Sequence, residues 1–213
     1  MTAPKILIMG PPGAGKGTQC SNIVDAYDVE HITTGDALRS NKQMDISDMD
    51  TEYDTPAEYM DAGDLVPDQV VNAIVEKALN DADGFVLDGY PRNPEQNEEL
   101  DSMTDLDVVL SVSVGNEELL DRLTGRRVDP ETGDNYHVKY DMPDDEEVRE
   151  RLIQREDDTQ EAAENRLDVF DENTKPVIES YHDQSEFVEI DGEQSPDDVW
   201  TDIKQAIDEQ TDA

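Results

Sequence analysis

Residues 10–18 read GPPGAGKGT and follow the apolar run KILIM at residues 5–9. Four glycines in nine residues argue against a regular helix or strand there, because glycine loses more backbone freedom on ordering than any other residue. A short buried strand, a glycine-rich turn and a helix start, in that order, build an anion site. Backbone N–H groups point at the anion, and the helix dipole favours negative charge. The segment nearly matches the phosphate-binding pattern G-x-x-x-x-G-K-[ST]. Gly10, Gly15 and Lys16 fit, the residue after the lysine is Gly17, and the hydroxyl arrives one place late on Thr18. The bland alternative, a glycine-rich turn that binds nothing, does not explain why strand and helix patterns flank it on the correct sides.

Apolar runs that read as buried strands recur at EHIT (30–33), GFVLDG (84–89), DVVLSVSV (107–114) and EFVEIDG (186–192). Between them lie helical patterns. PDQVVNAIVEKALND (67–81) carries one apolar stripe with Pro67 in its first turn, NEELLDRLTGRR (116–127) has Asn116 as its expected N-cap, and SPDDVWTDIKQAIDE has Ser195 in that role. Helical periodicity also resumes at EEVRERLIQREDD and continues through TQEAAENRLDVFDENTKPVIESYH. Continuous apolar strands alternating with helices predict an α/β fold, a parallel sheet flanked by helices on both faces. Two polar excursions interrupt it. Residues 40–60 read as short helices outside the core, and residues 128–145 as a small hairpin. The expected organisation is a P-loop core of residues 1–32, 67–124 and 159–213, with insertions at 33–66 and 125–158. The acidic tail DEQTDA is expected to fray.

The 213 residues hold 16 Lys+Arg against 55 Asp+Glu, a formal charge of −39. Such a surface repels nucleic acid and anionic lipid, so neither is an expected partner. An ordered chain this acidic repels itself in dilute buffer, and at about 1 M salt a Debye length near 3 Å screens that repulsion. A salt-rich cytoplasm is therefore the expected compartment. No segment resembles a membrane span or a secretory signal. The single cysteine, Cys20, allows no internal disulfide and no cysteine-based zinc site, and reads as core packing.

Further segments share a pattern with the glycine loop. They are TTGDALR (33–39), MDAGDLVPDQVV (60–71), FVLDGYPRNPEQ (85–96), DRLTGRR (121–127), DNYHVKY (134–140), QREDD around Arg155, ENRL around Arg166, and DGEQSPDDV (191–199). In this order, over nearly the whole chain, they resemble the nucleoside monophosphate kinases and adenylate kinases in particular. The resemblance implies reversible phosphoryl transfer from MgATP to AMP. It also implies that the two excursions are mobile, an NMP-binding flap and a lid. Gly13, Ala14, Gly15, Lys16, Gly17 and Thr18 would hold ATP phosphates, with Arg122, Arg126, Asn135, Tyr136 and Gln194 completing the ATP site. AMP would meet Thr34, Arg39, Asp64, Leu65 and Val66 on one side. Gly89, Tyr90, Pro91, Arg92, Gln96, Arg155 and Arg166 would meet it on the other. Lys16 would follow the migrating group while Arg39, Arg92, Arg126, Arg155 and Arg166 neutralise its oxygens. Asp88 would reach Mg²⁺ through water, with Mg²⁺ as the cofactor and no zinc. ADP is then the product, and the chain is expected to be monomeric.

The arginine census agrees. Of nine arginines, six (39, 92, 122, 126, 155 and 166) fall at positions that the family gives to nucleotide. Arg149 and Arg151 are expected to pair with glutamates on their own helix. The chain departs from the family at Asp64, where many relatives carry a basic residue, and lacks the four-cysteine lid of some. Two other functions stay open. One is a kinase for UMP, CMP or GMP on the same fold. The other is a P-loop switch, which would want a hydroxyl residue directly after Lys16 and an N-K-x-D segment, for which NTKP at 173–176 has the wrong order.

Overall fold

The computed structural model describes residues 3–62 and 64–211. Along the chain run β1 (Lys5–Met9), α1 (Lys16–Tyr27), β2 (Glu30–Thr33), α2 (Thr34–Ser40), α3 (Pro56–Ala62), α4 (Asp68–Asp81), β3 (Phe85–Asp88), α5 (Pro94–Met103) and β4 (Val108–Ser113). They are followed by α6 (Asn116–Gly125), β5 (Arg126–Val128), β6 (Asn135–His137), α7 (Glu146–Arg151), α8 (Gln160–Val169), α9 (Lys175–Tyr181), β7 (Phe187–Asp191) and α10 (Pro196–Thr211). Five strands form one sheet in the order β2-β3-β1-β4-β7, and every neighbouring pair is parallel. This is the predicted architecture.

The alternation of side chains along β1 divides the core in two. Ile6 and Ile8 pack with Cys20 and Ile23 of α1, Leu119 and Leu123 of α6, and Ile203 and Ile207 of α10. Leu7 and Met9 face the opposite side, with Val71 and Val75 of α4, Leu100 of α5 and Val177 of α9. A strand covered on both sides has no solvent face, which is why β1 is apolar from Ile6 to Met9, the four residues that are buried.

Several local expectations need correction. Residues 41–55 contain no helix, and the one helix of that excursion, α3, extends past residue 60. The segment is also less external than its polarity suggests. Ile46 and Tyr59 are buried in a small third core with Ala37, Val70 and Ile74, and the Tyr59 hydroxyl accepts the Glu52 N–H at 2.8 Å. The helix expected to continue through EEVRERLIQREDD stops at Arg151. Ile153 instead pairs with Val128 through two backbone hydrogen bonds of 2.9 and 3.0 Å, adding to the β5–β6 hairpin, and a single 3-10 turn follows at Glu156–Asp158. The α6 cap position belongs to Gly115, one residue before Asn116, and the Gly115 N–H donates to Glu193 Oε1 at 2.9 Å. At α10 the expected cap is present, with the Asp198 N–H donating to Ser195 Oγ at 3.2 Å. The acidic tail is helical through Thr211, and its last two residues, like Gly63 in the 60–71 segment, lie outside the described residues.

Arg151 does not pair along its own helix. It forms a two-pronged pair with Asp129, at 2.7 and 2.6 Å, and also reaches Glu131 at 3.3 Å. Arg149 donates to the Pro143 carbonyl rather than to a glutamate. The hydrogen bonds from Arg151 hold the Asp129 carboxyl down at about 2. A carboxylate with a depressed folded pKa stabilises above its unfolded value of about 3.9, and that contribution disappears as pH falls through the folded value. The hairpin is therefore expected to keep this support from neutral pH to about pH 4 and to lose it between about pH 4 and 2. Amide exchange of residues 126–137 in Asp129→Asn at pH 7 should match the loosening of the native hairpin near pH 2. Equal protection in variant and native protein at pH 7 would refute the anchor.

Candidate active site

The C-terminal ends of β1, β2 and β3 and the loop after β1 open into a cleft of about 1410 Å³. Its floor is the glycine loop. Gly10, Gly13 and Gly15 all have positive φ, and a Cβ on Gly10 would sit 2.5 Å from the Val112 carbonyl oxygen. A side chain there would clash with the neighbouring strand, so glycine lets the loop curl over the sheet. Lys16, the first residue of α1, folds back into the loop. Its Nζ donates to the carbonyls of Gly10 at 2.8 Å and Pro11 at 3.1 Å. Burial lowers its pKa, and the Asp88 carboxylate opposes that shift.

The far wall carries guanidinium groups held by carboxylates. Asp158 is fully buried, and its oxygens accept from Arg126 Nε at 2.8 Å and Arg126 Nη2 at 2.5 Å. Arg166 Nη1 donates to Asp157 at 2.8 Å and approaches Asp158 at 3.5 Å. Burial lowers the Arg166 pKa and its acidic neighbours push it back up, while Arg126 and Arg155 lower it further. A buried carboxylate between two arginines offsets their mutual repulsion and fixes where they point. Arg155 reaches Asn135 Oδ1 of the hairpin at 3.4 Å, and Arg122 pairs with Glu118 at 2.9 Å. Tyr136 and Gln194 also line this side, Gln194 donating to Asp202 at 2.8 Å.

On the opposite side Thr34 Oγ1 and Arg92 Nε both donate to the Gly89 carbonyl, each at 2.7 Å. Asp88, Gly89, Tyr90, Pro91 and Leu65 line the cleft here. The Tyr90 ring belongs to the core and its hydroxyl donates to Asn72 at 2.9 Å, so the cleft is offered the backbone of this turn. Arg39, Asp64, Val66 and Gln96 are not on the cleft wall. Arg39 is exposed and paired with Asp36 on its own helix. Asp64 accepts a long 3.4 Å bond from the Tyr53 hydroxyl, and Val66 packs against the small third core. Gln96 is buried, with Oε1 accepting the Arg92 N–H and Nε2 donating to Asp68, both at 2.8 Å.

Sequence reasoning missed Asp158, Asp36 and Glu118, which hold the arginines. It also missed Phe170 and Thr174, which line the cleft where a π-helical turn, Phe170–Thr174, joins α8 to α9. The Thr174 hydroxyl donates to the Arg92 carbonyl at 2.9 Å. Acidic residues adjoin nearly every arginine in this chain, so no sequence signal marked the three that matter.

A cleft that pairs a glycine-rich loop with an arginine wall, at the carboxyl edge of a parallel sheet, takes polyphosphate. The fold and the cleft define a P-loop phosphotransferase. A family model described as adenylate kinase matches residues 8–186. The chain is 66% identical to an adenylate kinase of Haloarcula marismortui over 99% of this chain and 100% of that one. It is also 66% identical to one of Natronomonas pharaonis, over 98% and 99% of the two chains, and 45% identical to one of a Thermoanaerobacter species, over 95% and 97%. The chain belongs to the adenylate kinase family and is an enzyme of that type.

Proposed function

We propose that this chain interconverts MgATP and AMP with two molecules of ADP, by direct in-line transfer between nucleotides bound on the two sides of Lys16. The observation that carries the residue assignment is the position of Lys16. Its ammonium rests on two carbonyls of a loop whose N–H groups suit phosphate, so an incoming phosphate has a cation to draw across a short distance. Arg126, Arg155 and Arg166 then face the transferring group from the lid side and Arg92 from the other, with Arg122, Asn135, Tyr136 and Gln194 on ATP. Arg39 serves once the flap swings inward and Asp36 releases it. Catalysis of this kind is positioning and charge stabilisation, and the acceptor is already an anion, so no general base is required.

The donor set fits Mg²⁺. Asp88 presents a hard carboxylate at the end of β3, beside Lys16 and open to the cleft. Asp88 would reach Mg²⁺ through one of the waters that the ion keeps, with the polyphosphate supplying the remaining oxygen donors. When bound the ion supplies charge neutralisation to the polyphosphate. Residues 33–66 and 125–158 are proposed to close over the substrates and exclude water, with the core at 1–32, 67–124 and 159–213 as the fixed body.

Base choice rests on Gln96. Gln96 is buried off the cleft wall here, with one protein partner at each polar end of its amide, so its remaining N–H and lone pair would meet an adenine edge only after the flap rearranges around it. Thr34 and the backbone of Asp64, Leu65 and Val66 would complete that pocket. AMP is expected to show the highest kcat/KM among AMP, CMP, UMP and GMP in a coupled assay with MgATP. A higher value for CMP or UMP would remove the adenine assignment and favour the pyrimidine reading. All proposed site residues come from one chain, so a monomer suffices. Among the described residues no helix is long and apolar enough to cross a membrane. Together with the acidic surface, this supports a cytoplasmic enzyme.

A further inference from the structure

Behind the glycine loop, three side chains that belong to different elements converge. Cys20 of α1, His31 of β2 and Asp88 of β3 bring a sulfur, a ring nitrogen and a carboxylate oxygen all within 4.8 Å of one another. The topology places them there. β2 lies beside β3 in parallel register, with Thr33 opposite Asp88, and α1 contacts both strands. His31 Nε2 stands 3.9 Å from Asp88 Oδ2. Phosphoryl transfer as described above uses neither Cys20 nor His31.

We propose that Cys20, His31 and Asp88 form a site for one divalent transition-metal ion of borderline softness, of the Zn²⁺ or Co²⁺ class, and that its occupation inhibits the enzyme by withdrawing Asp88 from the nucleotide's Mg²⁺. The donor set argues for this class. Thiolate, imidazole and carboxylate together suit tetrahedral zinc or cobalt, whereas Mg²⁺ takes oxygen donors alone. Metal–ligand bonds of about 2.0–2.3 Å need these atoms only modestly closer than they already stand. Asp88 and His31 keep side-chain exposures of 18% and 31%, which leaves an entry path and room for a water as fourth ligand. The chain carries 55 Asp+Glu, so chance clusters of acids would be unsurprising. Yet among the described residues this mixed triple is the one group whose ligand atoms meet so closely.

Binding breaks the Cys20 S–H bond, forms a sulfur–metal bond and passes the proton to solvent, with no change of oxidation state. The site differs from the cysteine-rich zinc set that one cysteine excludes, and it amends the expectation that the chain binds no zinc. The binding stands on geometry alone. The inhibition rests on the role proposed for Asp88.

The test uses the full chain with Co²⁺ and no nucleotide. Cys20 is the single cysteine, so a thiolate-to-cobalt charge-transfer absorption reports this site and no other, however many surface carboxylates also take up metal. A saturable band of one equivalent is expected in the native protein and none in Cys20→Ala. In His31→Asn the apparent Kd should rise about tenfold or more. Both variants should melt cooperatively and keep native MgATP–AMP turnover, and both should resist inhibition by micromolar Zn²⁺ that slows the native enzyme. No band at saturating Co²⁺, or an unchanged Kd in His31→Asn, would overturn the site. A band without inhibition would uphold the site and overturn the role given to Asp88.

Discussion

Lys16→Met is expected to fold normally and to turn over about 10²–10³-fold more slowly, the usual loss when one preorganised electrostatic contact is removed. Met preserves the length and apolar body of the side chain, so α1 keeps its first residue. The substitution removes the two hydrogen bonds that Nζ donates to Gly10 and Pro11. Gly10 lines the open cleft, where its carbonyl can take up water, and the Pro11 carbonyl keeps the Ala14 N–H at 3.2 Å, so stability should fall by no more than about 1 kcal/mol. In the transition state there is no such substitute. Charge builds on the transferring phosphoryl group where closure has excluded water, and the arginine wall lies on the other side of it. The loss should therefore appear in kcat and kcat/KM together, with KM for AMP little changed. Steady-state kinetics beside a melting curve make the test. A folded variant within about threefold of native kcat would remove Lys16 from the centre of the mechanism.

Legibility differs between the sheet and its insertions for a physical reason. A strand covered on both faces is dominated by aliphatic residues, interrupted at most by small ones such as Ser111, so KILIM and DVVLSVSV declared themselves. The glycine loop did so because few side chains tolerate its backbone. The excursions obey weaker constraints. EEVRERLIQREDD has helical periodicity to its end, but propensity lost to two tertiary bonds, the Arg151–Asp129 pair and the Ile153–Val128 bridge. Residues 41–55 look external because Ile46 is isolated in a polar run, yet it is buried by neighbours distant in sequence. The same limit applied to the site. The arginines were legible as rare cations in an acidic chain, while Asp158, which orients two of them, was one acid among many. Arg39 and Gln96 stood out by motif, but here they bond to Asp36 and Asp68, and only flap closure would bring Arg39 to the nucleotide.

The melting temperature should rise steeply with KCl. Asp129 and Asp158 are the buried carboxylates among the described residues, and both are matched by arginine. Most of the remaining acids lie on the surface, and 16 Lys+Arg cannot balance 55 Asp+Glu. The compact state therefore concentrates a charge of −39 that the unfolded chain spreads out. Raising salt from about 0.1 M to 1 M shortens the Debye length from about 10 Å to 3 Å, which screens surface repulsion while leaving the buried pairs nearly intact. If screening restores about 5 kcal/mol, a modest share of a domain's usual stability, the midpoint should move up by about 10–20 °C at this chain length. The relatives from Haloarcula and Natronomonas come from halophilic archaea, where such a dependence costs nothing. Substrate affinity should move the other way, because the same ions screen arginine from phosphate, so KM for ATP and AMP rises as the fold gains stability. Neutralising substitutions at exposed acids should flatten the melting response without changing KM. A melting temperature that stays level or falls between about 0.1 and 2 M KCl, a range bracketing the screening regime, would show that the acidic surface is not what limits stability in dilute buffer.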